Sequence, residues 1–114
     1  MAAYKTVNIE QGFPTAEMAK NRLSGELRIA KAQGAKALKI IHGYGSSGTG
    51  GAIKRTCHSF LDEKKRAGFI KNYIKGEDFT SFNSATRTLV LQYPPLTKDI
   101  DYQRQNDGIT VIIF

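Results

Sequence analysis

Val7 and Ile9 alternate with Thr6, Asn8 and Glu10, so Tyr4 to Glu10 reads as a strand of period two. Gly12-Phe13-Pro14-Thr15 breaks the pattern. Ala16, Ala19, Leu23, Leu27 and Ala30 then recur in steps of three and four. That spacing predicts a helix from about Ala16 to Gln33, with Thr15 as N-cap, Glu17 in the first turn and Gly34 just past the end. Gly25 falls inside it and weakens it by roughly 1 kcal/mol relative to alanine. Ala37-Leu-Lys-Ile-Ile-His42 is a second strand, followed by a glycine-rich segment from Gly43 to Gly51. Ile53, Cys57, Phe60 and Leu61 predict a second helix from about Ala52 to Ala67, stopped by Gly68. Phe69 to Lys75 resembles a third strand. Ser84 to Gln92 fits a short helix between Asn83 and Pro94-Pro95 better than a strand. Asn106-Asp107-Gly108 marks a turn before a last apolar strand, Ile109 to Phe114.

The order is therefore βαβα, a strand, a short helix and a strand. It implies an α/β fold whose first strand–helix–strand unit is parallel and right-handed. The length of 114 residues suits one domain, 1–114. One cysteine, Cys57, excludes an internal disulfide framework and a cysteine zinc site; it sits on the apolar stripe and reads as core. No apolar run approaches the roughly 18–20 residues of a membrane span, and the start lacks a secretion signal. A cytoplasmic protein with no membrane partner is the expectation.

Charge sharpens the picture. Lys and Arg number 17 against 10 Asp and Glu, a formal net charge of +7. Residues 1–75 carry 14 basic and 5 acidic groups; residues 76–114 carry 3 and 5. A basic body points to a polyanion, nucleic acid first. The chemistry concentrates in His42-Gly-Tyr-Gly-Ser-Ser-Gly-Thr-Gly-Gly51, between a strand and a helix N-terminus where unpaired N–H groups favour an anion. The segment formally contains G-x-G-x-x-G. It follows the second strand and lacks the acidic residue some twenty positions on, so a dinucleotide site is not indicated. Gly51-Ala52 stands where a nucleotide-binding loop of the Walker type needs Lys-Ser/Thr, which excludes that loop. A backbone-phosphate site for DNA or RNA remains. Its candidate residues are His42, Gly43, Tyr44, Gly45, Ser46, Ser47, Lys39, Lys54 and Arg55, with a further basic stripe of Lys20, Arg28 and Lys31. Tyr44 would stack on a base or cover the end of the sheet. His58 reads as a surface residue of the second helix. Asp99 and Asp101 read as exposed carboxylates in a turn, not a metal pair.

His42-Gly43-Tyr44-Gly45, then Gly51-Ala52-Ile53-Lys54, then Cys57, Phe60 and Leu61 resemble the signature of the small MutS-related (Smr) domain. That family has a strand ending in His-Gly-x-Gly and a helix reading Gly-x-Leu-Arg-x-x-Val-x-x-Trp-Leu. Here Ile53, Lys54, Cys57 and Phe60 replace Leu, Arg, Val and Trp. The resemblance runs from about Val7 to Phe114. It implies a two-layer βαβαβ(α)β sandwich with a four-stranded mixed sheet, the last strand antiparallel. Such a fold is similar to the C-terminal domain of translation initiation factor three. Residues 80–105 would be an elaboration before the last strand. Family members bind DNA or RNA, and some cleave it. Their other signature is Leu-Asp-x-His at the end of the first strand, where Asp and His are implicated in cleavage. Val7-Asn8-Ile9-Glu10 stands there instead. Asn8 cannot act as a general base, whereas Glu10 could. Binding, which requires no cofactor, is the first expectation. The alternatives are an altered endonuclease using Glu10 and His42 with Mg or Mn, and an interaction module on a nucleoprotein such as a ribosome or repair complex.

Overall fold

The period-two segment at Tyr4 forms β1 (Tyr4–Asn8). The strand ends two residues before Glu10 because the Asn8 side-chain oxygen accepts the Glu10 N–H at 2.9 Å, which turns the chain. The computed structural model describes residues 4–43 and 49–114. Helix α1 (Ala16–Ala32) begins where Thr15 Oγ1 accepts the Met18 N–H. It buries Ala19, Leu23, Leu27 and Ala30, the stripe read from the sequence. Strand β2 (Ala37–Ile41) leads toward α2 (Thr49–Arg66), which starts three residues earlier than expected. Both long helices end in the same way. The Gly34 N–H bonds Lys31 O while the Ala35 N–H bonds Ala30 O; the Gly68 N–H bonds Lys65 O while the Phe69 N–H bonds Lys64 O. Each glycine lies at positive φ, 76° and 78°, where a side chain would be strained.

That second cap shortens the next strand. Phe69 is held back against α2, so β3 covers Asn72–Lys75 rather than Phe69–Lys75. A 3-10 turn (Gly76–Asp78) leads to α3 (Ser84–Gln92), whose N-cap Asn83 accepts the Thr86 N–H. A second 3-10 turn (Pro94–Lys98) precedes β4 (Ile109–Ile113). The strands form one mixed sheet in the order β1-β2-β4-β3. β1 and β2 are parallel, and β4 runs antiparallel to both its neighbours. This is the expected α/β architecture. The apolar run of β4 is explained by its place inside the sheet, buried on both faces.

Side-chain alternation sorts the core into two layers. Ile9, Leu38, Ile40 and Ile112 pack against α1 and α2, where they meet Leu23, Leu27, Ile53, Cys57 and Leu61. Ala37, Ile74, Ile109 and Val111 face the other way and are covered by Phe79, Leu89 and Leu96 from the 80–105 segment and its approach. Residues 79–96 thus roof the sheet face that α1 and α2 leave bare. Among the described residues, no helix is long and apolar enough to cross a membrane.

Candidate nucleic-acid interface

Parallel pairing of β1 and β2 brings their C-terminal ends together. Asn8, Glu10, His42 and Gly43 meet there, beside the N-terminal ends of α1 and α2 and the start of β4. In open α/β sheets this edge is where ligands bind. Gly43 has φ +84°, and a Cβ built on it would collide with the Glu10 carboxylate. Glycine at 43 is therefore required twice, by backbone conformation and by the close approach of Glu10. Glu10, Asn8, Gln11, Phe13 and Ile53 line an open cleft of about 240 Å³.

His42 lies two positions beyond Ile40 and so points to the same face, between the sheet and α2. It is 0% exposed. Its Nδ1 lies 3.0 Å from Gly43 O, and its Nε2 lies 2.8 Å from Thr110 Oγ1. The same hydroxyl lies 2.8 Å from His58 Nε2. Donor and acceptor roles follow in order. A carbonyl only accepts, so Nδ1 of His42 carries the proton and Nε2 accepts from Thr110 O–H; Thr110 then accepts from Nε2–H of His58. The chain of bonds runs unbroken from α2 through β4 to the carbonyl at the root of the glycine-rich segment. Burial holds both imidazoles below the usual histidine value; with His42 and Lys54 nearby, His58 is pushed down to about 4. Both are neutral at pH 7, as the bonding order requires. His58 also lies 5.6 Å from His42, edge to face, and 5.3 Å from the Tyr73 ring.

These contacts correct two expectations. His42 does not present its ring to solvent; both nitrogens are used inside the protein, one of them on the Gly43 carbonyl. As a catalytic acid or base it has no access to a substrate. His58 is not a surface residue: Lys54 and His58, four apart, flank the apolar stripe of α2 and turn toward the sheet. The helical spacing contained that signal.

The basic candidates divide. Lys39 is 4% exposed, because it points to the α3 side of β2. Its Nζ lies 2.9 Å from Asp99 Oδ1 and 2.7 Å from Asp101 Oδ2. Burial alone would lower its pKa, but these two carboxylates outweigh it and raise it. Lys39 is therefore removed from the phosphate-binding set. Asp99 and Asp101 are not exposed turn residues but its clamps. Lys54 is half-buried, 3.3 Å from Glu77. Arg55 is exposed and, with Lys20, Thr56, Ser59 and Glu63, lines a groove of about 280 Å³ between α1 and α2. Tyr44, Gly45, Ser46 and Ser47 lie outside the described residues.

Two residues escaped sequence reasoning. Arg22 Nη1 donates to Ile9 O at 3.2 Å and to Gln11 O at 2.6 Å, pinning the turn that carries Glu10. Phe13 is 98% exposed at φ +55°. Arg22 is one polar position among several on α1, and no periodicity marks a single residue such as Phe13 in a turn, so neither left a local signal. Cys57 is buried core, as read, and burial pushes its thiol up to about 12. A divalent ion takes several oxygen ligands. Among the described residues no three His, Cys, Asp or Glu side chains converge to hold one, and both ring nitrogens of His42 are engaged within the protein.

No curated protein and no solved structure matches the chain significantly. The Smr domain family model matches residues 11–87, more than half the chain. That span includes the end of β2, the glycine-rich segment and all of α2; Val7–Glu10 and β4 fall outside it. The strand–glycine–helix geometry and this match agree, and the chain belongs to the Smr domain family, whose members are nucleic-acid-binding and nuclease-like domains.

Proposed function

We propose that residues 1–114 act as one Smr-like unit that binds DNA or RNA through the end of the sheet where β1 and β2 terminate. The carrying observation is the His42–Thr110–His58 chain, which spends one buried and one half-buried histidine on fixing the Gly43 carbonyl. The fixed Gly43 backbone sets how the chain leaves β2, and a site toward the α2 N-terminus suits a phosphate, because a helix N-terminus favours an anion. Exposed Arg55 and half-buried Lys20 add positive charge along the groove between α1 and α2. In this reading Gly43, Tyr44, Gly45, Ser46 and Ser47 carry the backbone contacts, Lys54 and Arg55 add charge, and His42 positions the segment without touching the ligand. Binding needs no cofactor. The setting is a cytoplasmic nucleoprotein such as a ribosome or a repair complex.

The geometry favours binding over cleavage. Glu10 stands in the open cleft, but its intended partner His42 is sealed behind Gly43. The test is incubation with end-labelled branched DNA and structured RNA, with and without Mg²⁺, read on native and denaturing gels. A shifted band with intact nucleic acid is expected. Cleavage that disappears in Glu10→Gln would replace the binding reading with the nuclease one. No shift with any probe would reject nucleic-acid binding.

A further inference from the structure

The turn between β1 and α1 is held at every step, and it holds an aromatic ring in water. The Ile9 N–H bonds Ile41 O at 3.0 Å. Asn8 Oδ1 accepts the Glu10 N–H, the Phe13 N–H bonds Glu10 O at 3.2 Å, and Arg22 bonds Ile9 O and Gln11 O. Thr15 then caps α1. Within this frame Gly12 and Phe13 take consecutive positive φ values, 82° and 55°. A left-handed backbone is unfavourable for a bulky residue, and folding gains nothing from a phenyl ring that is 98% exposed. The ring borders the cleft that contains Asn8, Glu10 and Gln11. Arg22, with Asn8 and Gln11, lines the adjoining hollow of about 370 Å³. An apolar face, polar groups within reach of a base edge, and a guanidinium at the side form a complement to one nucleotide.

We propose that Phe13 is a base-stacking platform and that the ligand of this end is single-stranded nucleic acid rather than duplex. The inference rests on the nucleic-acid reading above and deepens it. In a duplex each base is already stacked between its neighbours, and a ring on a rigid turn cannot reach its face. In a single strand the base turns out freely and stacking tolerates any sequence. The net charge of +7 favours a polyanion over an apolar protein surface as the occupant.

The chain contains no tryptophan, so Phe13→Trp introduces a single reporter. Binding of oligo(dA), oligo(dT) and their duplex is measured by anisotropy at several salt concentrations, for the wild type, Phe13→Ala and Phe13→Trp. The single strands are expected to bind more tightly than the duplex. Phe13→Ala should weaken single-strand binding roughly 5- to 100-fold with the salt slope unchanged, because stacking neutralises no phosphate. Phe13→Trp should bind like wild type, with its emission quenched by the single strands. Wild-type binding that Phe13→Ala leaves within about twofold overturns the platform and leaves the proposed function standing. Failure of the wild type to bind any probe overturns both. A self-association abolished by Phe13→Ala would place the ring between two copies and also overturn the platform.

Discussion

At the scale of single residues, Thr110 is the hinge of the site. One hydroxyl donates to His42 and accepts from His58, and the two bonds fix both tautomers. Protonation is where this arrangement is vulnerable. The folded pKa of His58 is depressed to about 4, below the roughly 6.5 of an unfolded chain. Stability from a depressed group is complete above the unfolded value and is lost as pH falls toward the folded one. The urea midpoint should therefore drop as pH goes from about 7 to about 4, and His58→Gln should flatten that part of the curve. A wild-type midpoint that is level across this window would show that His58 is not held neutral.

At the scale of elements, the exposed-looking charges of the sequence turn out to fasten the layers. Lys39 on β2 reaches through the α3 side of the sheet to Asp99 and Asp101, and Asp101 is also held by the Asn106 amide at 2.8 Å. This ties the stretch after α3 to the middle of the sheet. Lys39→Ala would leave two carboxylates in a nearly closed site, at a cost of about 3 kcal/mol on equilibrium denaturation. The sign of its pH dependence follows from both partners. Burial would raise the pKa of Asp101, but Lys39 and Asn106 lower it, so its contribution is lost as pH falls below the ordinary carboxylate value of 3.8. The raised pKa of Lys39 means that its contribution is lost as pH climbs above 10.5. Between those limits the wild type should exceed Lys39→Ala by a nearly constant margin. A margin within experimental error of zero would make the clamp incidental.

At the scale of the whole molecule, the two sheet faces have separate duties. The α1–α2 face carries the histidine chain, the groove with Lys20 and Arg55, and the cleft beside Phe13. The opposite face is closed by Phe79, Leu89 and Leu96 and retains Lys39 inside ion pairs. Electrostatic binding should then be concentrated on one side. On single-stranded DNA the logarithm of affinity should fall with the logarithm of salt by about 0.7 for each phosphate neutralised. Arg55→Ala should reduce that slope by roughly one, whereas Lys98→Ala, on the far 3-10 turn, should leave it unchanged. Equal effects of the two substitutions would mean that attraction is spread over the molecule and the site is misplaced.

Local pattern alone determined the elements of this protein. The period-two and period-3.6 stripes, Thr15, Asn83, Gly34 and Gly68 act within a few residues, so α1 and α3 were legible almost to the residue. The glycine-rich signature between β2 and α2 was legible too, and it carries the family. Tertiary structure decided which polar groups remain available to a ligand. Lys39 and Lys54 look alike in sequence to Arg55. The pairing of β2 with β4 turns Lys39 toward Asp99, sixty residues away, while α2 leaves Arg55 in solvent. His42 and His58 came to share one hydroxyl for the same reason, since only the register of Ile40 opposite Thr110 places it between them. Burial and pairing of charge depend on contacts distant in sequence, and a short window along the chain contains no record of them.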